Sequence, residues 1–209
     1  MMDVREAYNI WAEQYDSNHN KTRDLEAIAL RKTLAPINFN SCLEIGCGTG
    51  KNTAWLLQKA GHITAVDLSE EMLLKAKEKI ASDRVSFQQA DITHTWTFNS
   101  TTYDLVVFSL VLEHIENLEN IFEKTAAVMV PGGRVYIGEL HPFKQYAGSK
   151  ARFPTAKGEQ VVTCYTHHIS DFIQAAKMWG FKVAELNEYF DGDDRSTIPR
   201  ILTILLEKS

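Results

Sequence analysis

Three cysteines, five prolines and eleven glycines in 209 residues leave few options for several kinds of protein. Cys42, Cys47 and Cys164 cannot complete a disulfide framework, and their spacing fits no zinc pattern, so no metal is expected. The scarcity of proline and glycine excludes collagen-like and low-complexity chains. No apolar run approaches the roughly 20 residues of a membrane span. The N-terminal MMDVREAYNIWAEQYD mixes acids with aromatics and has no apolar signal-peptide core. A basic excess is missing too. Against 22 Lys+Arg stand 27 Asp+Glu, a net charge of −5, whereas a dedicated nucleic-acid binder usually carries the opposite balance. A soluble, reducing, cytoplasmic setting is the expectation, with neither membrane nor nucleic acid as partner.

What is present is ordinary globular material: 44% hydrophobic and 23% charged residues. A chain of this length buries roughly 70% of its unfolded surface, enough for a sizeable single core. Short apolar runs alternate with helical periodicity. Helices are expected at 3–16, 22–35, 51–60, 69–80, 117–130 and 170–179. Strands are expected at 42–45, 63–66, 85–89, 105–108, 135–138, 181–189 and 201–206. Pro131-Gly132-Gly133 reads as the end of the fifth helix, and Pro142 as a bar to helix continuation after His141. Strand–helix alternation means parallel βαβ units and an α/β doubly wound sheet. The last two strands lack an intervening helix and should pair antiparallel. Ligands in such sheets bind beyond the carboxyl ends of the strands, which singles out 46–50, 67–69, 91–92 and 109–114.

The first of these segments is Leu43-Glu44-Ile45-Gly46-Cys47-Gly48-Thr49-Gly50. Glycines after a strand let backbone approach a ligand closely. The dinucleotide fingerprint is G-x-G-x-x-G; here it is G-x-G-x-G, with Lys51 where the third glycine would fall. Glu44 just before the loop would repel a pyrophosphate and suits an ammonium or hydroxyls. Both points disfavour a nicotinamide-dependent oxidoreductase. Asp67 ends the second strand, where a carboxylate takes both hydroxyls of a ribose. Asp91 ends the third, placed for an exocyclic adenine amine.

LEIGCGTG, AVDLS, Asp91-Ile92, YDLVVFSLVLEHI and PGG before a strand, in that order, resemble a class I S-adenosylmethionine-dependent methyltransferase of the small-molecule group. The resemblance covers about 40–140. It implies a mostly parallel, seven-stranded Rossmann-like sheet with an antiparallel last strand, and S-adenosylmethionine as cofactor. It also implies an enzyme that methylates an O or N nucleophile of a small acceptor, as a monomer or homodimer. By resemblance, Gly46, Cys47, Gly48 and Gly50 form the loop along methionine and ribose, and Glu44 lies near the methionine ammonium. Asp67 would hold the ribose, Leu68 and Met72 would pack on adenine, and Asp91 and Ile92 would meet its edge. Ser109 and Leu110 would flank the sulfonium. Tyr15 heads a Tyr-Asp pair that similar proteins carry in a lid. A non-catalytic protein that binds S-adenosylmethionine is the other class the loop allows.

The chain then divides into an N-terminal helical lid (1–38), a cofactor core (39–140), a substrate cover (141–168) and a C-terminal helix and strand pair (169–209). Tyr8, Trp11 and Tyr15 form one helical stripe, suited to core packing or to a lid. The absence of Asn/Asp-Pro-Pro-aromatic after the fourth strand argues against nucleobase-amine and glutamine acceptors. Glu113, His114 and His141 are the titratable groups near the expected methyl, and a histidine can accept a proton at neutral pH. Within 143–168, Lys144, Lys150, Arg152 and Lys157 face one acid, Glu159, with Phe143, Tyr146, Phe153 and Tyr165 interleaved. Either this segment, Tyr146 and Arg152 included, covers an anionic acceptor, or it is a solvated loop with scattered lysines.

Overall fold

The structure, a computed structural model, describes residues 3–98, 102–155 and 158–209. Lys157 therefore lies outside the described residues.

Two helices precede the sheet, α1 (Val4–Trp11) and α2 (Lys21–Leu34). Asp3 caps the first by accepting from the amides of Arg5 and Glu6, and Asn20 caps the second through those of Thr22 and Arg23. Five strands then run parallel: β1 (Ser41–Ile45), β2 (His62–Asp67), β3 (Val85–Gln89), β4 (Tyr103–Ser109) and β5 (Met129–Leu140). Helices α3 (Lys51–Leu56), α4 (Glu70–Lys79) and α5 (Leu118–Ala127) connect them. After β5 come a short α6 (Pro142–Tyr146) and a hairpin of β6 (Arg152–Thr155) and β7 (Gly158–Val161). Then follow α7 (Ile169–Met178), β8 (Phe181–Tyr189) and β9 (Ile201–Lys208).

The main sheet has seven strands in the order β3-β2-β1-β4-β5-β9-β8, and β9 runs antiparallel to both its neighbours. Side chains alternate across it. Leu105 and Val107 of β4 join the core under α2, α3 and α4, while Val106 and Phe108 join the core under α5 and α7. Both faces are covered, which is why β4 is an unbroken apolar run. The strand order reverses between β1 and β4, so a crevice opens at their carboxyl ends.

Local structure departs from the sequence expectations at several places. Helix α1 stops at Trp11, and residues 12–17 form turns. Helix α3 ends at Leu56. Pro131-Gly132-Gly133 lie inside β5, where the register jumps from Tyr103↔Met129 to Leu105↔Arg134. Extra residues bulge out there, and Gly132 adopts a φ of +77° that a bulge needs. Pro142 opens α6; a first-turn residue needs no amide donor, so proline starts a helix as readily as it stops one.

Candidate functional site

The loop after β1 is fastened to β2. The amides of Gly46 and Cys47 both donate to the Val66 carbonyl, at 2.8 and 3.0 Å. Gly46 and Gly48 have φ of +73° and +53°, in the left-handed region. A Cβ on Gly46 would fall 2.9 Å from the Val111 Cβ, whereas one on Gly48 would meet only the Tyr15 ring, at 4.0 Å. The first glycine lets two loops touch, and the second leaves room. Asp67 ties the arrangement together: its carboxylate accepts from the amides of Gly48 and Ser69, each at 2.8 Å. Burial raises its pKa, against the opposing pull of those amides.

A cavity of about 220 Å³ opens at these strand ends. Gly46, Gly48, Asp67, Leu68, Asp91, Ile92, Ser109, Leu110 and Tyr15 line it, as do Tyr8 and His114. Four residues expected there sit elsewhere. Glu44 is buried below the loop, accepts from the Thr53 hydroxyl at 2.6 Å, and has its pKa pushed up to about 8 by burial. Cys47 points into the core with Leu30 and Leu56. Gly50 starts α3 and lies against Ile80, whose Cδ1 would stand 2.8 Å from an added Cβ. Met72 is buried beneath α1 among Ala7, Trp11 and Phe153. Glu44, Cys47 and Met72 turn their side chains into the core, and Gly50 packs its backbone against α4.

A second cavity, of about 280 Å³, lies behind a wall formed by Tyr8, Tyr15 and Leu110, which line both. Leu110 holds a φ of +53°, alone in this among the non-glycine described residues, and its amide donates to Gly138 at 2.8 Å. Trp11, Arg23, Glu113, Lys150, Arg152 and Arg200 border the second cavity. Arg23 lies over the Tyr15 ring, 3.9 Å from its centre, and donates to the carbonyls of Tyr15 and Asn18 at 2.5 and 2.9 Å.

His114 joins the two cavities chemically. Its Nδ1 is 2.7 Å from the Thr163 carbonyl oxygen and its Nε2 is 2.9 Å from the Tyr8 hydroxyl. A carbonyl only accepts, so Nδ1 carries the proton and the bare Nε2 accepts from Tyr8. Glu113 is buried beside it, with burial raising its pKa; Oε2 finds no hydrogen-bond partner among the described residues. Behind it, buried Glu139 accepts from the amides of Val111 and Leu112 at 3.0 and 2.7 Å, and its pKa is likewise raised.

His141 lines neither cavity. It is fully buried, accepts from the Phe143 amide through Nδ1, and meets Glu188 through Nε2 at 3.0 Å. It serves as the cap of α6. Tyr146 is exposed and pairs with His168, away from both cavities.

The sequence profile of the methyltransferase domain family matches residues 43–137. A demethylmenaquinone methyltransferase of Clavibacter sepedonicus is 32% identical over 114 residues, which are 54% of this chain and 46% of that protein. An uncharacterized methyltransferase of Emericella nidulans is 27% identical over 225 residues, 89% of this chain and 78% of that protein. In fold, the chain matches DhpI in its complex with S-adenosylhomocysteine, with a TM-score of 0.78 at 23% identity over 98% of this chain and 94% of that one. Residues 43–137 thus match the methyltransferase domain, and the fold is the one that solved S-adenosylmethionine-dependent methyltransferases share. The chain spans about half the length of several curated relatives that it matches.

The cavity-lining residues that sequence reasoning missed are those brought in from a distance. Arg23 and Arg200 reach the second cavity from α2 and from the turn before β9. Nothing in their local sequence distinguishes them from other surface arginines. Among the described residues no helix is long and apolar enough to cross a membrane.

Proposed function

We propose that this protein moves the methyl group of S-adenosylmethionine to an O or N nucleophile of a small-molecule acceptor. One observation supports this above others: two cavities share a wall of Tyr8, Tyr15 and Leu110. The first has the chemistry of a nucleoside site. Asp67 keeps lone pairs for a ribose diol, Gly48 leaves open space, and Leu68 and Ile92 offer apolar surface beside Asp91. When bound, the cofactor supplies an electrophilic methyl on a sulfonium. Transfer then needs a nucleophile held in line and water kept out.

The chain's own residues provide both. The N-terminal segment closes over the loops: Asn9 accepts from the Ser69 hydroxyl at 2.6 Å, and Asp16 accepts from Thr49 at 2.7 Å and pairs with Lys79. The Tyr8 hydroxyl stands at the wall with His114 behind it. A proton lost by the acceptor can pass to the Tyr8 oxygen as the Tyr8 proton moves to Nε2 of His114. Glu113 is the second group able to hold a proton at that end.

Calorimetric titration tests the cofactor, with saturable binding of S-adenosylmethionine and S-adenosylhomocysteine expected. Methyl labelling of metabolite extracts tests transfer. No cofactor-dependent labelling of any small molecule would overturn the reading.

A further inference from the structure

The second cavity carries a charge imbalance that the transfer step does not need. Arg23, Lys150, Arg152 and Arg200 border it against a single carboxylate, Glu113. Two of the cations are already neutralised. Arg200 grips Asp191 through Nε and Nη2, and Arg152 meets Glu159 at 3.2 Å. The other two are not: among the described residues no carboxylate lies within ion-pairing distance of Arg23 or Lys150.

Arg23 is the more informative. Both its Nη groups go to backbone carbonyls, which leave the charge uncompensated, and its buried Nε finds no partner among the described residues. The Trp11 indole N–H, from a second side chain of the same cavity, is likewise buried without a partner. Unsatisfied buried donors cost stability, and a site keeps them when a ligand completes them. The volume of about 280 Å³ is at the small end for ligand sites, which favours a compact metabolite.

We propose that the second cavity holds the acceptor by a terminal oxyanion, of the phosphate or carboxylate kind, gripped between Arg23 and Lys150. This places the nucleophile of the same molecule at the Tyr8 wall, facing the first cavity. The inference rests on the methyltransferase reading above. Guanidinium groups suit oxyanions because their planar donors match the oxygen spacing. A neutral or cationic acceptor would leave the two positive charges bordering one small cavity without an anion.

The test uses the full chain saturated with S-adenosylhomocysteine, titrated with inorganic phosphate and with acetate at constant ionic strength. Saturable binding of at least one is expected. Lys150→Gln and Arg23→Gln should each weaken it roughly tenfold, and Arg23→Lys should recover part of the loss. Phosphate winning over acetate identifies the phosphate class, and the reverse the carboxylate class. Arg23 also tethers the Tyr15–Asn18 turn, so Lys150→Gln, which breaks no such tether, decides the question if Arg23→Gln fails to fold. Intact S-adenosylhomocysteine binding with no saturable oxyanion binding, or with binding unchanged in Lys150→Gln, would overturn this proposal alone. Loss of S-adenosylhomocysteine binding in the parent chain would overturn the underlying reading with it.

Discussion

The Tyr8 hydroxyl and His114 Nε2 are 2.9 Å apart in space and 106 positions apart in sequence. The contact sets the direction of the hydrogen bond, because the Thr163 carbonyl holds the proton on Nδ1. Tyr8 is partly buried, and desolvation raises its pKa well above that of a free phenol. It therefore stays protonated on its own and can only relay a proton.

Tyr8→Phe removes the relay and keeps the ring. Turnover is expected to fall about a hundredfold, within the usual range for lost proton transfer, while S-adenosylmethionine affinity changes less than about threefold. Steady-state kinetics beside calorimetry separates the two. Unchanged turnover would mean that positioning alone drives the transfer.

Asp67→Asn keeps the shape of the side chain and removes its charge. Since charge-assisted hydrogen bonds are roughly twice as strong as neutral ones, cofactor affinity should fall about tenfold or more. Equal affinity in wild type and variant refutes the ribose role of Asp67.

Two glycine substitutions should separate stability from binding. Gly46→Ala forces a Cβ to within 2.9 Å of Val111 at a φ of +73°, so the unfolding free energy should drop by about 2–3 kcal/mol. Gly48→Ala meets only the Tyr15 ring at 4.0 Å. It costs about 1 kcal/mol of backbone strain, and its larger effect should be on cofactor affinity. Chemical denaturation and calorimetry on both variants give the comparison.

The buried acid Glu44 makes stability depend on pH in a defined direction. Its folded pKa of about 8 lies above the unfolded value of 4.5, so the folded state holds the proton more tightly. Its stabilising effect is complete below pH 4.5 and is lost as pH rises toward 8. His141 acts oppositely below pH 6.5, since burial lowers its pKa and protonation then disfavours the fold. Between pH 6.5 and 8 buried Glu139, also raised to about 8, acts in the same direction as Glu44, and the melting temperature of the ligand-free chain should fall. Glu44→Gln should make that fall shallower, leaving the share of Glu139; an equal slope in the variant would show that Glu44 carries none of it.

Much of the fold was legible in the sequence. All seven strands of the main sheet were anticipated, because a strand covered on both faces must be apolar, as Leu105–Phe108 is. Among the expected cofactor residues, those at or just beyond the carboxyl end of a strand do line the first cavity: Gly46, Asp67, Ile92 and Leu110. Glu44 and Met72 do not, because one lies within a strand and the other within a helix, where rotation about the element axis decides the outcome. The hairpin of β6 and β7 was not anticipated either, since its residues Arg152–Val161 show no alternation of apolar and polar side chains.

The sequence by itself determined the element order, the glycine loop and the acids that end β2 and β3. These are local properties, set by backbone freedom and by side-chain period. Only the tertiary structure decided which distant groups meet. It joined Tyr8 to His114, brought Arg23 and Lys150 to one small cavity, and gave His141 to a helix cap. Such pairings depend on how helices settle onto the two faces of the sheet, and packing across many residues sets that together.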